Sequence, residues 1–517
     1  MADSRSTNLF DIFRARFPKD LGVPFMTLPG GDVFSYAALD AASARLANLL
    51  TKLGTKPGDR VVVQVEKSPQ AVFLYLACLR AGAVFLPLNT AYRADELDYF
   101  LADAEPHIVV CDPGDATLAA LCTTRGIAHR LTLAADGSGT LMDQCAGEAA
   151  TFTTVPRASS DLASILYSSG TTGKPKGVML SHNNLSSNAE TLHRLWKFKP
   201  GDVLLHSLPI FHVHGLFVAL NTTLMNGSGM IFHQKFVADD VIRDLPRATV
   251  FMGVPTYYVR LAAHPALTPR LCSNIRLFLC GSAPLLPETF ASFAASSAQQ
   301  IVERYGMTEA GMITSADLDK PRHAGAVGWP LPGVTLRIVD TDNRDLPKGE
   351  TGEIQIKGPN LFVGYWRKPE KTAEDFTADG FFKTGDLAHF EPDGMVNIVG
   401  RAKDMMISGG FNVYPKEIEA IIDALPGVAE SAVVGMPHPD FGEAGLAVVT
   451  MDAGAAALNS DAVRAALRES LANFKVPKMI VVAEALPRNA MGKVQKNLLR
   501  ATYRAQWYLH LAENARA

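Results

Sequence analysis

The sequence contains few cysteines and no large excess of either charge. It has six cysteines in 517 residues, and no two of them have a C-x-x-C spacing. Their scarcity excludes a disulfide scaffold and the common zinc modules, and it is typical of a reducing compartment. The 49 basic and 52 acidic residues give a net charge of −3. This balance argues against a protein that coats nucleic acid or an anionic membrane.

Long apolar runs are also missing. The best candidate for a membrane span, residues 71–88, is interrupted by Arg80, Gly82 and Pro87, whereas a span needs about 20 mainly apolar residues. The first ten residues are polar and lack the apolar core of a signal peptide. These absences favour a cytoplasmic protein that binds neither membranes nor nucleic acid.

What is present is a large apolar content in which helix and strand signals alternate. Hydrophobic residues make up 48% of the chain, and its length is enough for about two to four domains. Ser35 is placed to cap a helix over 36–53, and strand-like runs at 60–65 and 83–86 enclose a helical pattern at 68–81. Such alternation predicts an α/β fold with parallel sheets covered by helices.

The pattern changes near Val334. Short strand-like runs separated by Gly, Pro and Asp predict a small β-barrel-like subdomain over about 334–402. A compact α+β pattern follows it. We therefore predict a large N-terminal domain over 1–402, which includes the subdomain, and a small α+β domain over 403–517.

A loop rich in Gly, Ser and Thr follows the apolar strand signal at 163–166. Three glycines free its backbone to form an anion nest, and its hydroxyls and lysines are donors for phosphate oxygens. It is not a Walker A loop, because Pro175 stands after Lys174 where that loop carries Ser or Thr. The predicted phosphate site consists of Ser168, Ser169, Gly170, Thr171, Thr172, Gly173, Lys174 and Lys176.

This loop resembles the AMP-binding signature of the adenylate-forming superfamily, which includes acyl-CoA synthetases, adenylation domains and luciferases. Other signatures of the superfamily follow in its order, so that the resemblance covers nearly the whole chain. The resemblance implies a large domain of two doubly covered sheets and a C-terminal domain that moves. The signatures are Pro209-Ile210-Phe211-His212, Tyr305-Gly306-Met307-Thr308-Glu309, Thr384-Gly385-Asp386, Gly400-Arg401-Ala402-Lys403-Asp404 and the run from Pro487 to Lys496.

The resemblance also implies a reaction with ATP, Mg²⁺ and coenzyme A. A carboxylate attacks the α-phosphate of ATP, pyrophosphate leaves, and the thiol of CoA then displaces AMP from the acyl-AMP. The protein has to neutralise charge and align the reactants. By resemblance, Thr308 contacts the α-phosphate, Glu309 and Thr171 bind Mg²⁺, Tyr305 lies against the adenine, Asp386 and Arg401 serve the ribose, and His212 lies beside the acyl carbonyl.

Three residues of the C-terminal part have implied roles in catalysis and movement. By resemblance, Lys493 bridges carboxylate and phosphate oxygens during adenylation, for which its compact, mobile cation is suited. Lys403 resembles the hinge of the superfamily, and rotation about it would let the CoA thiol enter past Gly409. Acetylation of Lys493 would remove its charge and stop adenylation, so a lysine acetyltransferase or deacetylase is a hypothetical partner.

The acid is predicted to be small and dicarboxylic. Arg304 stands where many fatty-acid and aryl enzymes carry a small or neutral residue, and the bulky Met307 can shorten the pocket. A second carboxylate needs a cation, because a desolvated anion is costly when unpaired. The segments 209–219 and 302–309 resemble malonyl-CoA and methylmalonyl-CoA synthetases. The candidate substrate residues are Arg304, Arg276, Lys235, Met307, Ser282 and His212, with His214 nearby in sequence.

Other interpretations stay open at this point. Arg276 and Lys235 fit surface positions as well as a pocket, and Arg304 could pair with Glu303. The same chemistry could act on a short-chain or aromatic monocarboxylate, or could load a carrier protein instead of CoA. A non-catalytic AMP-binding or acyl-binding scaffold is disfavoured, because its chain would not need the catalytic side chains at 309, 386 and 493.

Overall fold

The computed structural model describes residues 7–168, 175–408, 411–439, 441–455, 457–489 and 492–514. Within them, no helix combines the length and the apolar character that crossing a membrane requires. The chain divides into two compact units. The first consists of Met1–Thr335 with Lys357–Phe381, and the second of Leu336–Ile356 with Phe382–Ala517.

This division differs from the predicted boundary between residues 402 and 403. Most of the predicted barrel-like subdomain, namely 336–356 and 382–402, groups with the C-terminal segment, whereas Lys357–Phe381 group with the first 335 residues. The two compact units are defined by contacts within each unit. The predicted boundary instead marks the point about which the C-terminal part is predicted to rotate. The domain limits and the hinge at Lys403 therefore stay predictions.

The strands are short and are numbered here along the chain. Their bounds are β1 (Pro24–Thr27), β2 (Val33–Ser35), β3 (Arg60–Gln64), β4 (Val84–Pro87), β5 (Ile108–Cys111), β6 (His129–Thr132), β7 (Leu162–Ser168), β8 (Lys176–Ser181), β9 (Val203–His206), β10 (Gly229–Phe232), β11 (Val250–Gly253), β12 (Leu277–Cys280), β13 (Ile301–Met307), β14 (Gly311–Ser315), β15 (Trp329–Pro330), β16 (Thr335–Val339), β17 (Gly352–Lys357), β18 (Gly364–Tyr365), β19 (Phe382–Phe390), β20 (Val396–Arg401), β21 (Met406–Ser408), β22 (Phe411–Val413), β23 (Val428–His438), β24 (Gly442–Met451) and β25 (Met479–Val482).

The α-helices lie between these strands. Their bounds are α1 (Leu9–Arg14), α2 (Tyr36–Lys52), α3 (Pro69–Ala81), α4 (Ala94–Ala104), α5 (Ala116–Thr124), α6 (Thr140–Cys145), α7 (His182–Leu195), α8 (Asn221–Asn226), α9 (Ala238–Asp244), α10 (Pro255–Ala262), α11 (Pro269–Cys272), α12 (Pro287–Ser297), α13 (Pro369–Glu374), α14 (Pro415–Asp423), α15 (Ser460–Ser470) and α16 (Lys496–Asn514). A π-helical segment, His214–Leu220, precedes α8.

Two mixed sheets form the centre of the first unit. One has the order β15-β14-β13-β12-β11-β9-β10-β1-β2, and the other β18-β8-β7-β4-β3-β5-β6. Their central strands run parallel, and antiparallel pairs such as β13–β14 and β7–β8 lie toward the edges. The α/β fold predicted from the alternation of signals is therefore confirmed. Parallel strands present their carboxyl ends at one edge, and this places the segments after β9, β12 and β13 together.

Local chemistry explains why the helices between these strands begin and end where they do. The hydroxyls of Ser35 and Ser68 accept hydrogen bonds from the backbone at the starts of α2 and α3. Pro69 occupies the first turn of α3, where no amide hydrogen bond is lost. Gly82 ends α3 with φ = 72°, a left-handed conformation that favours glycine.

The second unit contains two further sheets. In the first, β16-β17-β19-β20, the last three strands are antiparallel neighbours. The second has the order β22-β21-β24-β23, with β25 parallel to β24 on a side branch. Trp507 of α16 is fully buried, and its indole nitrogen donates to the Pro437 carbonyl at 2.7 Å. This bond joins the last helix to β23.

Candidate active site

The two strands that lead into and out of the predicted phosphate loop form a hairpin. Residues 169–174 of that prediction lie outside the described residues, so only Ser168 and Lys176 can be placed. They are paired neighbours at the open end of β7 and β8. The Lys176 ammonium lies 4.2 Å from the centre of the Tyr365 ring and 3.6 Å from Asp375 Oδ2. A cation and a hydroxyl therefore stand at the two ends of the loop.

Glu309 is a buried carboxylate beside the base of this hairpin. Its Oε1 lies 3.4 Å from both the Ser168 hydroxyl and the Tyr365 hydroxyl, which donate to it. Only 7% of the residue is exposed. A carboxylate oxygen with neighbouring hydroxyls is the kind of donor that Mg²⁺ prefers. Glu309 thus fits the metal role that the resemblance implies, while its predicted partner Thr171 lies outside the described residues.

Helix α4 contacts both stems of the hairpin, which the sequence did not predict. The Tyr99 hydroxyl donates to the Pro175 carbonyl at 2.8 Å, on the side of β8. The Tyr167 hydroxyl donates to Asp103 Oδ2 at 2.6 Å, on the side of β7. Tyr99 and Asp103 are four residues apart, so they share one face of the helix. One helical turn thereby holds the entry and the exit of the loop.

Arg304 of β13 lies at the centre of the predicted acyl site. It is 4% exposed, and one of its terminal nitrogens donates to His214 Nε2. The other lies 3.0 Å from the Met312 sulfur, and Nε has no hydrogen-bond partner among the described residues. Burial lowers the pKa of the Arg304 guanidinium to about 10, so that it remains charged at neutral pH. A buried cation that contacts an imidazole and a thioether rather than a carboxylate is unusual, because such charges are normally paired.

His214, Ser282 and His212 surround this arginine. Because Arg304 can only donate, His214 Nε2 accepts, and its Nδ1 donates to the Ser282 hydroxyl at 3.1 Å. Ser282 follows β12 with φ = 76°, a strained conformation for a residue with a side chain. Burial and the charge of Arg304 lower the pKa of His212 to about 4, so this ring is neutral. The predicted members of the acyl site thus meet around Arg304, with Met307 at the end of the same strand.

Two predicted substrate residues lie elsewhere. Arg276 precedes β12, at the opposite end of that strand from Ser282, and its guanidinium pairs with Asp202 and donates to the Trp196 carbonyl. Lys235 is exposed beyond the end of β10. Neither side chain joins the group around Arg304. The alternative interpretation of Arg276 as an ion-pair residue agrees with its contacts.

Asp386 and Arg401 are cross-strand partners on β19 and β20 of the second unit. Arg401 Nε lies 2.6 Å from Asp386 Oδ1, and the second contact, between Nη2 and Oδ2, measures 3.4 Å. Asp386 is 4% exposed. The antiparallel pairing of the two strands thus brings together the two residues predicted to serve the ribose. Tyr305 and Thr308 belong to the first unit, where they lie at the end of β13 and in the turn that follows.

Lys493 lies in the segment between β25 and α16. The residue is exposed, but surrounding protein atoms desolvate its amine, and Arg401 adds positive charge nearby. Together they lower the pKa of Lys493 to about 8. Lys403 lies in a short 3₁₀ turn, Ala402–Asp404, directly after β20, and burial lowers the pKa of its amine as well. Gly409, the predicted neighbour of the CoA thiol, lies outside the described residues.

Sequence reasoning missed a buried lysine in the first unit. Lys67 is 6% exposed, and its amine lies 2.9 Å from both His206 Nδ1 and the His206 carbonyl. His206 Nε2 lies 2.9 Å from the carbonyl of Gly215, to which it donates, in the π-helical segment after His212. Lys67 follows another charged residue, Glu66, and precedes the start of a helix. This pattern is typical of a loop that is exposed to solvent. Nothing local in the sequence indicates that its amine is buried.

Comparison with known proteins now identifies the family. The AMP-binding enzyme family matches residues 14–366, and the C-terminal domain of AMP-binding enzymes matches residues 417–493. The chain therefore belongs to the AMP-binding enzymes, and the predicted class, an AMP-forming acyl-CoA synthetase, is confirmed. Enzymes of this class use ATP, Mg²⁺ and coenzyme A.

Individual relatives cover almost the whole chain. The solved structure of ATP-bound MatB from Rhodopseudomonas palustris is 51% identical with a TM-score of 0.94, and the match covers 96% of this chain and 99% of that one. A feruloyl-CoA synthase from an Amycolatopsis species is 36% identical over 92% of this chain and 95% of its own length. A malonate–CoA ligase from Arabidopsis thaliana is 31% identical over 97% of this chain and 90% of its own length.

Proposed function

We propose that this enzyme joins malonate or methylmalonate to coenzyme A through an acyl-AMP intermediate. The observation that carries the proposal is Arg304, a buried guanidinium that contacts no carboxylate among the described residues. One carboxylate of the acid reacts, and the other supplies the missing negative charge. The likeness to a malonate–CoA ligase supports the same choice.

The neighbours of Arg304 define how such an acid would be held. A carboxylate can accept two hydrogen bonds from one guanidinium, and these charge-assisted bonds fix its orientation. The Ser282 hydroxyl, which His214 holds from the other side, is a further donor. Gly281 allows the arginine to lie close, because a Cβ at that position would be 2.4 Å from the arginine nitrogen Nη1.

The adenylation step needs charge neutralisation at the phosphates of ATP. We assign Lys176, the loop at 168–174 and Thr308 to the phosphates, Tyr305 to the adenine, and Asp386 with Arg401 to the ribose. His212 is neutral at physiological pH and serves as a hydrogen-bonding group beside the acyl carbonyl. Lys493 supplies a positive charge to the reacting carboxylate and phosphate. Mg²⁺ bound by Glu309 would neutralise phosphate charge.

The test is ATP–pyrophosphate exchange with a panel of acids: malonate, methylmalonate, acetate, butyrate, benzoate and ferulate. We expect the two dicarboxylates to give the highest kcat/KM. Arg304→Met should lower kcat/KM for malonate by about 100-fold, because hydrogen bonds to a charged group contribute about 1.5–3 kcal/mol. Arg276→Met is the matched control, since its ion pair lies at the other end of β12.

Preference for a monocarboxylate would contradict the proposed substrate class. Higher activity with ferulate would favour an aryl acid, as in the feruloyl-CoA synthase to which the chain is similar. Equal losses in the two arginine variants would indicate that Arg304 acts on folding and not on the acid. Replacing CoA by a carrier-bound thiol separates a CoA ligase from a carrier-loading enzyme.

We also propose that acetylation of Lys493 switches the enzyme off and that the enzyme works in the cytoplasm. Acetylation removes the charge on which adenylation depends, and the residue is exposed to a modifying enzyme. All six cysteines are buried free thiols, as a reducing compartment favours. Full exchange activity after complete acetylation at Lys493 would contradict the switch.

A further inference from the structure

The segment that carries Lys493 is a narrow loop closed by backbone pairing. Arg488 and Val494 form an isolated antiparallel bridge. Asn489 closes the loop twice, because its amide donates to the Lys493 carbonyl and its side-chain oxygen accepts from the Lys493 amide, both at 3.0 Å. Gly492 has φ = 75°, so the chain reverses through a glycine directly before the lysine.

The side chain of Arg488 reaches back onto this loop. Its Nη1 donates to the Gly492 carbonyl at 2.6 Å, and its Nη2 pairs with Glu430 of β23. The guanidinium therefore joins the peptide that precedes Lys493 to a strand of the central sheet of this unit. Such charge-assisted bonds are stronger and more directional than neutral ones.

The peptide between Gly492 and Lys493 is consequently held at both ends. Arg488 binds its carbonyl oxygen, and the Asn489 side chain binds its amide hydrogen. Because a peptide group is planar, these two bonds fix the plane from which the Lys493 side chain departs. The Lys493 side chain has four rotatable bonds. A fixed backbone direction therefore limits the positions that its amine can reach.

We infer that Arg488 is a positioning residue for Lys493 in the adenylation half-reaction, and that Glu430 orients Arg488. The inference rests on the proposed function, in which Lys493 supplies charge during adenylation. The contacts of Arg488 are with the Gly492 carbonyl and with Glu430, so we expect it to act through Lys493. Its effect should therefore appear in kcat of the step that uses Lys493 and not in the binding of ATP or of the acid.

The experiment compares Arg488→Met with Arg464→Met. Arg464 is a matched control in the same unit, because it also pairs with a carboxylate, Asp461, and donates to a backbone carbonyl, that of Lys478. We expect Arg488→Met to lower kcat of ATP–pyrophosphate exchange by about 10- to 100-fold, since misplacement by about 1 Å costs about 100-fold. KM for ATP and acid, and thioester formation from supplied acyl-AMP, should change less than about twofold.

Equal slowing of the two half-reactions, or equal behaviour of the Arg488 and Arg464 variants, would overturn the inference. Lys493→Ala measured in parallel separates this failure from a failure of the proposed function. If Lys493→Ala keeps its exchange activity, the assigned role of the lysine is wrong. If Lys493→Ala loses exchange and Arg488→Met does not, only the positioning role is wrong.

Two milder variants keep the test valid if Arg488→Met does not fold. Arg488→Lys retains a donor for one of the two partners but not the forked geometry, and Glu430→Gln retains the shape of its partner without the charge. Both should lower exchange kcat by about three- to tenfold, which corresponds to about 0.7–1.4 kcal/mol, and spare thioester formation. Unchanged exchange in both would overturn the inference.

Discussion

Lys67 is an internal lysine whose hydrogen-bond partners are a histidine and a backbone carbonyl. Burial lowers the pKa of the Lys67 amine well below its ordinary value, and burial with the adjacent amine lowers the pKa of His206 as well. Burial therefore disfavours the charged form of both groups. Their hydrogen bonds connect the start of α3 to the π-helical segment that follows His212. This pair therefore holds the π-helical segment next to His212, one of the residues predicted for the acyl site.

The titration of Lys67 should appear in the pH dependence of stability. Its folded pKa lies below the unfolded value of about 10.5, so the unfolded chain binds one more proton between these two values. Stability therefore rises with pH across this window, by about 1.4 kcal/mol per pH unit from this group. In Lys67→Met the urea midpoint of the first unit should rise less as the pH increases toward about 10.5.

Lys56→Met provides the comparison, because Lys56 is an exposed lysine of the same unit. It should keep the pH dependence of the wild-type protein. A slope that is the same in all three proteins would mean that the Lys67 amine is protonated in the folded state.

Single residues also mark the limit of prediction from sequence. Glu309, Asp386 and Lys493 were found because each belongs to a motif whose spacing has a chemical reason. Arg304 was found because it stands directly before such a motif, at a position where many fatty-acid and aryl enzymes carry a small or neutral residue. Arg276 has the same chemistry but pairs with Asp202, because its position before β12 puts it at the amino-terminal end of the strand, away from Ser282. Lys67 was missed because burial of its amine depends on β9 and β10, which are more than 130 residues away.

At the scale of elements, helix α4 is the support of the phosphate loop. Tyr99 and Asp103 bind its two stems, and Trp366 donates to the Asp103 carbonyl at 2.9 Å. Both stems of the predicted phosphate loop are thereby bound to one turn of α4.

Tyr99→Phe removes the bond to the Pro175 carbonyl while keeping the ring. We expect KM for ATP to rise about fivefold, because one hydrogen bond contributes about 1 kcal/mol, and KM for malonate to stay the same. The measurement is pyrophosphate exchange at varied ATP. Tyr92→Phe is the control, since Tyr92 packs on Phe100 near the same helix. An equal effect of both variants on both substrates would contradict a specific support of the loop.

The sequence predicts the starts of individual helices but not the contacts between distant elements. The starts of α2 and α3 agree with the predicted caps to within a residue, because capping depends on neighbours in sequence. The support by α4 could not be predicted, because it depends on how β7 and α4 pack across the sheet.

At the scale of the whole chain, the residues assigned to the proposed reaction are divided between the two compact units. Arg304 and Glu309 belong to the first, and Asp386, Arg401 and Lys493 to the second. A reaction with two successive half-reactions needs such parts to rearrange. The 3₁₀ turn at Ala402–Asp404, which follows directly on the strand that carries Arg401, contains Lys403, the residue predicted to be the hinge.

Lys403→Pro should separate the two half-reactions. A proline fixes φ, so we expect thioester formation from supplied acyl-AMP to slow at least about tenfold more than pyrophosphate exchange does. Lys403→Ala removes the side chain but leaves the backbone free, and it serves as the control. Slowing of both steps to the same extent in the proline variant would contradict a hinge at this residue.

Arg304 contacts no carboxylate among the described residues, and this has a consequence for thermal stability. A folded protein that holds a buried charge without a counter-ion gains stability from any ligand that supplies one, by RT ln(1 + [L]/Kd). The second carboxylate of the proposed acid would be this counter-ion for Arg304. At the same free concentration, a dicarboxylate should protect the first unit against heating more than a monocarboxylate of the same length does, because its Kd is lower, and Arg304→Met should abolish the difference.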